Sequence, residues 1–193
     1  MAVEQRGAET RLRADAQENY DRLVAAAGRM FSLHGTDASL KAIAEEAGVG
    51  IGTLYRRFPT REQLVEAVYR STVTEICYTA TNLVESMESP VEAFRAWAGQ
   101  LVEFLVSKRG MAEALQSVWS ADDDFRVETR QRLTDALEAL LREGNAAGAL
   151  RADVDALDVL RVIGGISYAA DDSVHALRLL DLLIDGLRPR VSR

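Results

Sequence analysis

The chain has 193 residues, 48% of them hydrophobic, one cysteine, three prolines and a net charge of -7. That length buries a real core in one large or two small domains, while a lone cysteine excludes an intrachain disulfide and the lack of a long apolar run excludes a membrane-spanning helix. Charge is uneven: residues 1–70 hold 10 basic and 10 acidic side chains, so residues 71–193 hold the remaining 13 and 20 and carry the whole -7.

Abundant Ala, Leu, Glu and Arg with few prolines and 6% aromatics predict an all-α fold. The segment MAVEQRGAETRLRADAQ has no apolar stretch of the kind a secretion signal needs. A soluble, cytoplasmic protein is therefore expected. Residues 1–13 are polar and expected to form a disordered arm, with Arg11 and Arg13 available for extra contacts.

From Asp15 to Leu33, the residues Tyr20, Leu23, Val24, Ala27, Met30 and Phe31 recur at helical spacing and predict a first helix, ended by Gly35. Ser39 is the expected N-cap of a second, two-turn helix whose Leu40, Ile43, Ala44 and Ala47 form one apolar stripe, closed by Gly48. A third short helix runs to Phe58, where Pro59 disfavours continuation. Thr60 and Gln63 have capping-box spacing and open a long fourth helix through Leu64, Val68 and Ile76.

Two short helices joined by a glycine-containing turn make a helix-turn-helix, whose second helix enters the major groove of DNA. Within AGVGIGTLYRRF, residues 47–58, Leu54 and Phe58 would face the core and Ile51 and Tyr55 the open side. Gly50 and Gly52 weaken a helix but leave its backbone bare where DNA approaches. Thr53, Arg56, Arg57 and Arg61 supply a hydroxyl and three cations suited to phosphates, Ile51 suits a thymine methyl, and Tyr55 and Lys41 reach base edges or phosphates. Taken singly, each residue has a plainer reading: an Arg pair solvates a face, Tyr55 half-packs, Ile51 joins the core. GVGIG lacks the preceding strand that a dinucleotide site requires. Their joint placement on one short helix favours DNA.

The stretch LVAAAGRMFSLHGTDASLKAIAEEAGVGIGTLYRRFPTREQLVEAV, residues 23–68, resembles the N-terminal DNA-binding domain of the TetR family of bacterial transcriptional regulators. The resemblance implies that Ser39 and Lys41 begin the first helix of the motif. It places Ile51, Gly52 and Tyr55 toward bases, and Thr53, Arg56, Arg57 and Arg61 toward phosphates. Two positions depart from the family's habit: Arg57 stands where histidine is common, and Leu40 where a hydroxyl residue is frequent.

Beyond residue 70, Pro90 opens a helix carrying Val91, Phe94, Trp97, Leu101, Phe104 and Leu105, ended by Lys108-Arg109-Gly110. A short helix is expected over Met111–Trp119, and Asp122–Asp124 open another running to about Ala147. The acidic triplet reads as a favourable helix N-terminus, and His34, His175 and Cys77 have no metal-ligand spacing. No metal, cofactor or catalytic constellation is expected. Asp153 is the expected cap of the next helix, and Ser173 begins the last, which is apolar around more of its circumference than one core face needs.

That excess suggests a partner, with Gly164-Gly165 permitting close approach of helices and a well-packed monomer core as the alternative; the resemblance implies that the partner is a second copy, in a four-helix dimer interface. The residues expected there are Leu160, Ile163, Gly164, Val174, Leu177, Leu180, Leu183 and Ile184. The resemblance also implies an effector pocket among the central helices, coupled to the DNA-reading heads through the fourth helix. Its expected lining is Cys77, Tyr78, Met87, Phe94, Trp97, Phe104, Met111 and Trp119, a mixture suited to a small, largely hydrophobic ligand. Ordinary core packing is the alternative for each.

The expected architecture is an arm over 1–13, a three-helix helix-turn-helix domain over 14–59 and a helical effector-binding and dimerisation domain over 60–193, with about nine helices. The expected function is a homodimeric transcriptional regulator, most simply a repressor, that binds a pseudo-palindromic operator and is released by an effector. The competing reading is a helical protein-binding module that does not use its helix-turn-helix on DNA. An enzyme is not expected.

Overall fold

The computed structural model describes the backbone of residues 2–107, 109, 115, 118 and 123–189, and the side chains of these from residue 14 onward. The described residues form eight α-helices and one 3-10 turn, without strands. In chain order these are α1 (Ala2–His34), the turn Gly35–Asp37, α2 (Leu40–Glu46), α3 (Ile51–Arg57), α4 (Arg61–Ser86), α5 (Pro90–Ser107), α6 (Asp123–Ala146), α7 (Ala156–Ala169) and α8 (Ser173–Gly186). Of the short helix expected over Met111–Trp119, Leu115 and Val118 are described, both helical and buried. Met111 and Trp119 lie outside the described residues.

Residues 2–13, expected to be a disordered arm, are instead a continuation of α1. The reason is local: Ala, Glu, Gln and Arg dominate this stretch, and once the helix is nucleated downstream, good helix formers extend it at little cost. Chain ends elsewhere follow the chemistry of caps. Ser39 Oγ accepts the Ala42 N–H at 3.4 Å, and Gly35 and Gly48, at φ 67 and 66, supply the left-handed turns on either side of α2. Thr60 and Gln63 form the reciprocal box, Thr60 N–H donating to Gln63 Oε1 at 3.4 Å and Gln63 N–H to Thr60 Oγ1 at 3.3 Å.

One cap differs from expectation. Asp155, not Asp153, starts α7: its backbone is extended and its carboxylate accepts the Asp158 N–H at 3.1 Å. Asp153 is drawn instead to Arg151, with an N–O distance of 2.6 Å.

The chain divides into two compact units, Met1–Ser71 with Gly110–Ala121, and Thr72–Arg109 with Asp122–Arg193. The division falls inside α4, past the boundary at residues 59 and 60 drawn from the sequence. Leu64, Val65 and Val68 are buried, and the Gly28 position lies 3.6 Å from a Val68 methyl. The first turns of α4 thus complete a core that Leu23, Phe31, Ile43 and Leu54 of α1–α3 begin. In the second unit α5 is the central helix and packs against α6, α7 and α8. Its Phe94, Trp97, Leu101 and Val102 are fully buried, and the Trp97 Nε1–H meets the Ile76 carbonyl at 2.9 Å, so the indole carries no unpaired donor into the core.

Candidate nucleic-acid interface

Helix α3 is seven residues long and starts from Gly50, whose carbonyl accepts the N–H groups of Thr53 at 2.8 Å and Leu54 at 3.2 Å. Its two faces separate cleanly. Leu54 and Phe58 are buried, whereas Ile51 is 39% and Tyr55 51% exposed, and Gly52, Arg56 and Arg57 share that open side, with Thr53 half-buried. Exposing an isoleucine and a tyrosine one turn apart gives up apolar burial that a purely structural helix would keep. A Cβ added at Gly50 or Gly52 would meet nothing within 4 Å, so the interior of the protein does not require glycine at either place.

The cations around α3 are placed differently from one another. Lys41 makes a 3.8 Å pair with Glu45 in which both side chains are exposed, an interaction of little energy that leaves the ammonium available. Arg56 folds along its own helix, donating to the Gly52 carbonyl at 3.3 Å and to Thr53 Oγ1 at 3.2 Å. Arg57 lies over the Tyr20 ring, its guanidinium carbon 4.6 Å from the centroid, and the Tyr20 ring lies 5.4 Å from that of Phe58. Arg61, expected toward phosphates, is engaged within the protein. Its guanidinium donates to the carbonyls of Thr36 and, at 2.8 Å, Ala38, because the turn between α1 and α2 leaves those acceptors without helical partners.

Two residues outside the expected set contact the helix-turn-helix from α1. Arg29 of α1 pairs with Glu46 of α2 at 2.7 Å, and Tyr20 supports Arg57. Tyr20 was visible in the sequence only as a member of the apolar stripe of α1, since its partner is 37 positions away and no local spacing signals the pairing.

The regulatory surfaces expected in the second unit are rearranged more. Of the residues expected to line an effector pocket, Tyr78 is 69% exposed on α4, while Phe94 and Trp97 are fully buried in the core around α5. Phe104 is also buried, and Cys77 is half-buried, where burial pushes its thiol up and Arg132 partly opposes the shift. Met87 borders a cleft of about 330 Å³ between α5 and α8, bridged by the 2.6 Å Arg95–Asp181 ion pair.

On the last helix pair, Ile163, Leu180 and Ile184, expected at a dimer interface, belong to the protomer's own core. Helix α8 is apolar on two sides, and its core stripe is Ala176, Leu180 and Ile184. Leu160, Gly164, Leu177 and Leu183 are half-buried, and Val174 is exposed, as are Val162, Tyr168 and Leu182.

Comparison with known proteins agrees with this geometry. Residues 23–68 match the family described as bacterial regulatory proteins, tetR family, and residues 89–189 match the C-terminal domain of SbtR-like transcriptional regulators. A TetR transcriptional regulator of Streptomyces coelicolor is 43% identical, the match covering 89% of this chain and 99% of that one with a TM-score of 0.78. A TetR transcription regulatory protein of Mycobacterium vanbaalenii is 29% identical over 92% of this chain and 99% of its own, with a TM-score of 0.68. An HTH-type transcriptional regulator of Staphylococcus aureus (strain USA300) is 25% identical over 107 residues, 55% of this chain, and the match spans 58% of that curated relative. With both its DNA-binding and its C-terminal halves matched, the chain belongs to the TetR family of bacterial transcriptional regulators.

Proposed function

We propose that this regulator is a cytoplasmic repressor that binds a pseudo-palindromic operator in double-stranded DNA as a homodimer and lets go when a small, largely hydrophobic effector binds its second unit. The observation that carries the reading is the division of α3: Leu54 and Phe58 anchor the helix while Ile51, Gly52, Tyr55, Arg56 and Arg57 face outward. Ile51 and Tyr55 are assigned to bases, and Thr53, Arg56 and Arg57 to phosphates, with Lys41 and Ser39 at the start of α2 beside them.

A homodimer is supported by the exposed apolar residues Val162 and Tyr168 on α7 and Val174 and Leu182 on α8, an arrangement that a monomer gains nothing by displaying. One helix-turn-helix reads too few base pairs to select a site, whereas two recognition helices about 34–36 Å apart meet successive turns on one face of DNA. Effector release needs little energy: a preference of about 2.8 kcal/mol for the unbound geometry lowers operator affinity a hundredfold.

Selection from a randomised duplex library, followed by affinity measurements across a salt series, tests the reading. An inverted repeat bound with a steep salt dependence supports it. Recovery of no consensus by folded, dimeric protein would favour the protein-binding module instead.

A further inference from the structure

We infer that Tyr20 of α1 is a positioning residue for operator binding: its ring holds the Arg57 guanidinium in place and leaves the N–H donors for a backbone phosphate. The inference rests on the DNA-binding reading above and adds to it a residue outside the helix-turn-helix. It starts from a contrast among the cations of the first unit. Arg29 is paired with Glu46, Arg61 is committed to two backbone carbonyls, and Arg56 donates to its own helix. Among the described residues, Arg57 has no carboxylate or carbonyl partner, and its contact is the face of Tyr20 at 4.6 Å.

Stacking has a consequence that hydrogen bonding lacks. A guanidinium is planar and its five N–H donors lie in the plane, so an aromatic ring beneath it immobilises the group without occupying a donor. The support is itself fixed: Tyr20 is half-buried, its ring is 5.4 Å from that of Phe58 and tilted by 34°, and Phe58 is buried. A chain of contacts therefore runs from the core through Phe58 and Tyr20 to a cation at the exposed C-terminal end of α3. An arginine held in place before DNA arrives loses less rotamer freedom on binding than one that is free. Arginine suits this position better than histidine, because its charge persists at every physiological pH and its fork matches two phosphate oxygens.

The experiment compares the wild type with Tyr20→Phe, Tyr20→Leu, Arg57→Gln and the double variant Tyr20→Leu/Arg57→Gln on a selected operator duplex, over a salt series, with denaturant midpoints confirming that each is folded. Arg57→Gln is expected to weaken binding and to make the slope of log affinity against log salt shallower by about one. Tyr20→Phe keeps the ring and should match the wild type. Tyr20→Leu should weaken binding about twofold to fivefold, the range for an exposed cation–π contact, yet produce no further loss when Arg57 is already glutamine. Equal losses from Tyr20→Leu in both backgrounds would show a merely structural role, and unchanged affinity in folded Tyr20→Leu would show no role; either overturns the inference. An unchanged slope in Arg57→Gln, with the wild type still steeply salt-dependent, overturns it while leaving the DNA-binding reading intact. Absence of salt-dependent binding by the wild type removes both.

Discussion

Arg61, the first residue of α4, donates to the Ala38 carbonyl at 2.8 Å and also to that of Thr36, so the start of the long helix holds the turn that leads into the helix-turn-helix. Both acceptors belong to the link between α1 and α2, immediately before the Ser39 cap. Arg61→Ala should lower folding stability by about 1–3 kcal/mol, the cost of leaving partly buried carbonyls without a charged donor. Arg61→Lys should restore only part of it, because an ammonium lacks the fork that spans two acceptors. Denaturant midpoints measure the loss. An operator salt slope unchanged in Arg61→Ala would agree with the clamp, whereas a slope shallower by about one would return Arg61 to the phosphate set.

Gly52 separates the demands of the fold from those of DNA. Space for a Cβ is open there and the backbone is helical, so Gly52→Ala should stabilise the folded protein by about 0.5–1 kcal/mol. Where the backbone of α3 lies close to the operator, the same methyl should weaken binding. Thermal unfolding and operator titration of one variant should therefore move in opposite directions; a gain in stability with unchanged affinity would remove Gly52 from the interface.

Tyr55 is half exposed and at the centre of the outward face of α3. Tyr55→Ala should leave stability within about 0.5 kcal/mol of the wild type but reduce operator affinity by about 1–3 kcal/mol and relax preference at one base pair. Competition between operator variants reads both effects. Equal preference profiles for the two proteins would exclude base readout by Tyr55.

The contrast between Arg57 and Arg61 explains why the site was only partly legible in the sequence. Helix boundaries, the Ser39 cap and the Thr60–Gln63 box depend on neighbours within a few positions, and periodicity separated Leu54 and Phe58 from Ile51 and Tyr55. Where an arginine's guanidinium goes depends on acceptors brought near by folding: Arg61 reaches Thr36 and Ala38, and Arg57 reaches Tyr20. The last helix shows a second limit. Both sides of α8 are apolar, so sequence pattern announced two buried faces without saying which one the protomer itself covers. Burial assigns Leu180 and Ile184 to the core and leaves Val174 and Leu182 outside. Residues 2–13 show a third limit: low hydrophobicity points to a disordered arm, while the same residues are good helix formers continuous with the rest of α1.

That division between the faces of α8 predicts two kinds of variant. Leu182 is 68% exposed, so Leu182→Glu should leave the protomer folded while shifting sedimentation from dimer toward monomer and lowering operator affinity in step. Ile163→Ala, at 0% exposure, should instead cost about 2–5 kcal/mol of folding stability through the cavity it leaves. A fully dimeric Leu182→Glu protein would place the interface on another surface.

Stability at high pH should depend on Tyr69, which is 5% exposed on α4 and whose phenol burial pushes up to about 12 from an ordinary value of 10.0. The neutral phenol is the form the folded chain accommodates. Below pH 10 both states keep the proton and the contribution to stability is complete; between pH 10 and 12 the unfolded chain releases it first, so folding weakens as pH rises through this window. The loss should be on the order of 2 kcal/mol by the top of the window. Tyr69→Phe has no proton to release, so its denaturant midpoint should fall less steeply than that of the wild type over the same range. Parallel alkaline declines in the two proteins would show that other groups govern the loss.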